Sequence, residues 1–144
     1  MRIRKSLVRG RGSALIEFAI ALAVLTPIFV GGWQFFEAYL LVEDIHQAVI
    51  QGAQSAASLP YDSLNETPTS EFRLAVENAV IRPSIPALRR EHLKVTMHFA
   101  AGRPNEVEVR VAGYKLGVPG GTITLDGKPK AQYPFRGYWS GSAR

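Results

Sequence analysis

One acid stands alone in the most apolar stretch of this chain. From Ser13 to Phe36, 24 residues, Glu17 is the only charged side chain. A carboxylate near the middle of a lipid-embedded helix costs roughly 2.5–3.5 kcal/mol on insertion scales. Glu17 stands only about 6–7 Å in from Ser13 along a helix, where an interface relieves part of that cost. Even so, an unneeded acid there is uncommon. Just before it, Arg11-Gly12-Ser13 puts an uncrowded peptide bond, followed by a small residue, at the start of the apolar run. The other chemistry-bearing residues are scattered. The chain has no cysteine, which removes disulfides, thiolate nucleophiles and Cys-based zinc sites together. His92 and His98 share a strand parity but lie about 20 Å apart along a strand, too far to share an ion. With His46, they read as solvated histidines on polar faces. Glu106 and Glu108 alternate with valines and read as a solvent face. Gly117-Val118-Pro119-Gly120-Gly121-Thr122 lacks the Gly-Lys-Ser/Thr of a phosphate loop and reads as a turn. Asn65-Glu66-Thr67 fits the short glycosylation pattern, a weak signal. No Ser/His/Asp order, HExxH or close carboxylate pair stands out, so no metal, no cofactor and no enzyme activity are expected.

These residues need elements to hold them. Ser13–Phe36 spans about 36 Å as a helix, against roughly 30 Å of hydrocarbon. Backbone polar groups in lipid need internal partners, so the segment is expected to be helical and to pass through Pro27 with a kink. Trp33, Phe36 and Tyr39 resemble an aromatic belt at the far interface. Ala38, Leu41, Val42, Ile45, Ala48, Val49, Gly52, Ala53 and Ala56 continue a three- and four-residue spacing. One helix, or two nearly continuous ones, is therefore expected from about residue 14 to 58, with Pro60 closing it. Residues 60–70 are turn formers. Thr67 and Pro68 read as the cap and first position of a short helix running to about Ile81, with Phe72, Val76, Ala79 and Val80 inward. The period then changes to two. Leu93, Val95, Met97 and Phe99 form one strand face, and Val107, Val109 and Val111 form another across a 101–105 loop. A third strand at 122–125, a tight Asp126-Gly127 turn and a fourth strand at 131–135 complete the expectation. The fold class is α+β: a long N-terminal helix, then a small head with one short helix and an antiparallel sheet. The expected division is a basic leader at 1–12, the helix at 13–58 and the head at 59–144.

Charge supplies orientation. Arg2, Arg4, Lys5, Arg9 and Arg11 account for the whole net charge of +5. No Lys or Arg occurs in the 61 residues from Gly12 to Phe72. A nucleic-acid binder spreads its cations over a face and interleaves aromatics, so no nucleic-acid partner is expected. Confined before an apolar run, the excess reads as topology, with the N-terminus cytoplasmic and the head outside. The run is too long for the 7–15-residue core of a secretory signal, and an acid inside such a core is atypical.

Arg11-Gly12-Ser13-Ala14-Leu15-Ile16-Glu17-Phe18 resembles the processing site of type IV pilins and pseudopilins: a basic leader ending in glycine, a small residue, and a glutamate five positions after the glycine. The Glu-Phe pair and the small head look most like the TadE-like family, pseudopilins of the tight-adherence (Flp) pilus system. The resemblance covers about residues 9–40. One departure is visible. Such proteins often carry a proline about seven residues after the glutamate, where this chain has Val24, and its proline comes at Pro27. The resemblance implies cleavage between Gly12 and Ser13 by a prepilin peptidase and anchoring in the inner membrane. It also implies a role for Glu17 and Phe18 in assembly with other pilins and the pilus machinery. The competing class is a bitopic scaffold or sensor subunit that keeps its leader and enters no filament. A membrane-tethered enzyme is disfavoured by the missing catalytic constellation.

Overall fold

The structure, a computed structural model, describes residues 7–62 and 68–139, with side chains from Gly12 onward. Helix α1 (Leu7–Ala57) and helix α2 (Ser70–Val80) precede a 3-10 turn (Arg90–His92). Strands β1 (Leu93–Ala100), β2 (Arg103–Val118) and β3 (Gly121–Pro134) follow. The strands form one antiparallel sheet in the order β1-β2-β3. This is the α+β arrangement the periodicities predict. Arg2, Arg4, Lys5, Thr67, the 65–67 glycosylation pattern and the middle of the 60–70 linker lie outside the described residues.

The chain divides into two compact units, Met1–Glu37 and Ala38–Arg144. In the first, α1 shows its large apolar side chains to the outside all around. Leu15 is 69% exposed and Phe29 73%. The helix runs through Pro27. It also begins at Leu7, inside the expected leader and ahead of the expected start near residue 14, so Gly12 is helical. A glycine costs a helix only about 1 kcal/mol relative to alanine. That does not stop propagation from an already nucleated apolar run.

The second unit takes its core partly from α1. Ile45, Ala48, Val49, Ala53, Ala56 and Ala57 are buried at helical spacing. Gly52 lies in the same stripe, and a Cβ there would stand 2.5 Å from Val80 Cγ2 and 3.3 Å from Val76 Cγ1. The small-residue stripe is thus the surface on which α2 sits. Helix α2 buries Phe72, Val76 and Val80, while Ala79 is only half-buried. It starts later than the cap at Thr67 predicts. Its N-cap is Thr69, and Pro68 is buried ahead of the helix instead of opening its first turn.

The sheet pairs Leu93 with Val111, Val95 with Val109 and Met97 with Val107. Met97, Val107, Val109 and Val111 are fully buried, and Leu93, Val95 and Phe99 are half-buried because β1 is an outer strand. The β1–β2 connection is tighter than the predicted 101–105 loop. Ala101 (φ 50°) and Gly102 (φ 74°) both adopt positive φ, as a two-residue type I′ hairpin requires. Pro119 and Gly120 turn the second hairpin. Strand β3 is one 14-residue strand, not two short ones divided by a turn. Gly127 (φ 76°) and, on β2, Gly113 (φ 74°) lie where the register shifts. A positive-φ glycine serves a bulge as well as a turn, and β2 is long enough to pair on both sides of it. The bulge moves the inward set from Val107, Val109 and Val111 to Tyr114 and Leu116.

The C-terminal segment closes this unit. The N–H groups of Arg136 and Gly137 both donate to the carbonyl of Ala57, at 2.8 and 2.9 Å, and satisfy an end of α1. Tyr61 N–H donates to the Tyr138 carbonyl at 2.8 Å. The Tyr61 ring packs 5.4 Å from Phe72, 6.2 Å from Phe99 and 6.3 Å from Phe135. A residue that reads as part of a linker is therefore a core aromatic, 1% exposed.

Val109→Asp should destabilise this unit by a few kcal/mol, because it buries an unpaired charge at a position with no exposure. Limited proteolysis of the full chain in detergent checks this. Wild-type resistance in the variant would mean that the strand register differs.

Candidate functional site

Ser13 and Glu17 are four residues apart on α1, hence on one helix face. The Ser13 hydroxyl Oγ donates to Glu17 Oε1 at 3.1 Å, and both residues are exposed. Phe18, beside Glu17, is 62% exposed. Gly12 opens outward: a Cβ there would meet nothing within 4 Å. The motif is therefore an accessible helical segment carrying a carboxylate. Its hydrogen-bond partner among the described residues is a hydroxyl one turn earlier. A hydroxyl leaves acceptor capacity on both carboxylate oxygens, so Glu17 can still take a cation from outside the chain.

Trp33 and Phe36 stack at a tilt with centroids 6.2 Å apart, and Trp33 Nε1 donates to Glu37 Oε1 at 2.8 Å. Both rings are mostly exposed, and so is Tyr39 further along the helix. Trp33 and Tyr39 each present a large ring with a polar atom, the chemistry suited to a membrane–water interface, and Phe36 adds a purely apolar ring beside Trp33.

The histidines depart from expectation. His92 belongs to the 3-10 turn, not to β1, because the strand ladder begins with the Leu93–Val111 pair. Its Nδ1 accepts the Arg89 N–H at 3.1 Å, and its ring stands edge-on to Tyr114 at 5.7 Å. The Tyr114 hydroxyl donates to the Pro86 carbonyl at 2.8 Å, and burial raises its pKa. Glu108 and His98 do not form a freely solvated face. Glu108 is 9% exposed. Gln132, directly across the sheet, donates Nε2 to Glu108 Oε2 at 2.8 Å, and His98 Nε2 lies 3.4 Å from the same oxygen. Alternation sets the face on which Glu108 lies. Its cross-strand partner Gln132 on β3 and, diagonally from β1, His98 reach its carboxylate there. No signal within any one strand announces that meeting. His46 is half-buried on α1. Among the described residues no group of three His, Asp or Glu could hold a metal ion.

Burial alone would raise the Glu108 pKa. The hydrogen bonds from Gln132 and His98, with the positive charges of Lys130 and His98, outweigh burial and hold it below the ordinary 4.5. A depressed folded-state pKa contributes stability that is present above the unfolded value and is lost as pH falls through the folded one. Wild-type stability should therefore carry a component lost below pH 4.5 that Glu108→Gln lacks. Thermal melts of both proteins in detergent between about pH 6 and pH 3 check this. The variant should be less stable at the upper end and should lose less on acidification. Parallel curves would remove Glu108 from the pH response.

No protein-family model matches this chain, and no curated protein or solved structure shows a match to it, so what the chain does has to be argued from the chemistry of its own residues.

Proposed function

We propose that this chain is a pseudopilin or minor pilin of a tight-adherence (Flp-type) assembly system. In this reading it is made with a basic leader, clipped after Gly12 by a prepilin peptidase and held in the inner membrane by α1. Its head lies outside the cytoplasm. The observation that carries the reading is the coincidence of Gly12-Ser13, Glu17 and Phe18 with the start of the apolar run within a helix long and apolar enough to cross a membrane. Five cations before Gly12 and none in the 61 residues from Gly12 to Phe72 support the orientation. The small α+β head is of the expected size and class. Its partners in this reading are the inner membrane, the peptidase and other pilins.

The role of Glu17 follows from what cleavage creates. Cutting the Gly12–Ser13 bond frees an ammonium on Ser13. Every subunit then carries a cation and an acid one turn apart at the same membrane depth. An ammonium of one subunit and Glu17 of the next attract strongly in low dielectric, although desolvation offsets much of the gain. The pair fixes register between subunits more than it adds stability.

A second reading, a bitopic scaffold or sensor subunit that retains its leader, draws on the helix itself. α1 continues unbroken through Gly12, with no extended peptide at the expected cut.

Glu17→Gln, as the only copy, keeps size and polarity but removes the charge. The variant should insert and be clipped nearly normally yet fail to support pili. Immunoblots of membrane and sheared fractions, with filament counts by electron microscopy, check this. Normal piliation would leave Glu17 as a tolerated interfacial acid.

A further inference from the structure

We infer that the outer edge of β1 is a docking site for an extended segment of another protein in which acidic and apolar residues alternate, added to the sheet as a fourth strand. The inference concerns the head alone and does not rest on the pilus reading.

The edge is open. Among the described residues, β1 pairs only with β2, so its other side presents N–H and C=O groups to no strand. A groove of about 710 Å³ follows this edge. It is lined by four consecutive residues, Leu93 to Thr96, together with Arg110 of β2, α2 and the 3-10 turn. Successive side chains of a strand point to opposite faces. A groove that touches four in a row therefore runs along the edge of the strand, and it extends on the outer face to Arg110, opposite Lys94. The four residues span about 13 Å, enough for a short extended peptide. The register shift between His98 and Phe99 ends the regular ladder beyond this stretch.

Two further features describe the occupant. On the inner face, Val109 and Val111 are fully buried, while their β1 partners Val95 and Leu93 are only half-buried. The missing cover is on the side away from β2. An apolar side chain on an added strand would supply it. On the outer face, the register sets Lys94 opposite Arg110 and Arg110 opposite Lys130, so three cations occupy one row across the sheet. Like charges directly opposite one another destabilise a sheet. The Arg110 Nε is buried and, among the described residues, has no hydrogen-bond partner. Arg73 and Arg90 line the groove beside Lys94 and Arg110. Of the two acids that line it, Glu77 is already paired with Arg90 at 3.5 Å. An acidic residue on an added strand, opposite Lys94, would extend the row with the sign it lacks. Acid outward and apolar residue inward is the period-two alternation of a strand.

The same row weighs against the other occupants. A second copy paired through its own β1 edge about Lys94 would bring Lys94 and Arg110 alongside Lys94 and Arg110. A nucleic acid would find no aromatic side chain along the groove on which to stack a base.

Fluorescence anisotropy with the full chain in detergent tests the site. The probe is a labelled six-residue peptide of alternating glutamate and valine. Controls are the lysine–valine peptide and a glutamate–valine peptide N-methylated at alternate peptide bonds, in the two possible phases. The glutamate–valine peptide should bind. The lysine–valine peptide and one of the two methylated phases should bind at least about tenfold more weakly. Lys94→Glu should reverse the preference between the glutamate and lysine peptides. No binding, equal binding of both charges, indifference to methylation in both phases, or indifference to Lys94→Glu would each overturn the site. Self-association of the wild-type chain that Lys94→Glu abolishes would give the edge to a second copy and overturn the acidic partner.

Discussion

The buried stripe of α1, from Ile45 to Ala57, occupies space that a three-stranded sheet and an 11-residue helix do not fill between themselves. Small domains bury a low fraction of their surface and are correspondingly marginal. Here the deficit is met by residues that also belong to the long helix. Ala48, Gly52 and Ala56 keep that surface low, and Val76 and Val80 of α2 rest on it at Gly52. The return of the chain after β3, which donates two N–H groups to Ala57, fixes the end of the same helix. A head built this way shares its core with α1, so its stability is coupled to that helix up to Ala57.

The first part of α1 follows the opposite rule. Its large apolar side chains are exposed all around, and nothing among the described residues of its unit covers them. Exposed apolar surface of this extent marks an interaction site or a membrane span. In lipid the helix satisfies its own backbone, and the residues that lipid does not suit are few. Glu17 is the one charge in the 24-residue run, and Ser13 is its intrachain partner. The same helix therefore offers a stripe of small residues to its own head and, nearer its start, a single carboxylate among apolar neighbours.

Much of this was legible in the sequence, and the rest was hidden for identifiable reasons. Composition marks the apolar helix because nothing else in the chain resembles it. Strict alternation marks β1 and the middle of β2, and the pairs Leu93–Val111, Val95–Val109 and Met97–Val107 have the parity that alternation requires. The start of α2 shifted by two residues because Pro68 packs into the core and does not open the helix. The unity of β3 was obscured because a glycine at positive φ has the same local signature in a bulge at Gly127 as in a hairpin turn. Tyr61, set among turn formers, becomes a core residue only when Phe72, Phe99 and Phe135 arrive from three other segments. The meeting of Glu108 with His98 and Gln132 is likewise a matter of register between strands. The motif at Gly12, Ser13, Glu17 and Phe18 was legible residue by residue. The helical state of Gly12 was not, because two isolated glycines are too weak a signal to place a helix start.

The central claim is that the peptide bond after Gly12 is cut and that the new amine of Ser13 is the partner Glu17 awaits. Intact-mass measurement of the protein extracted from the membranes of its own cells addresses this most directly. If Gly12–Ser13 is the processing site, the measured chain begins at Ser13 and lacks residues 1–12. A chain that retains those residues would contradict it and would make this protein a leader-bearing membrane anchor.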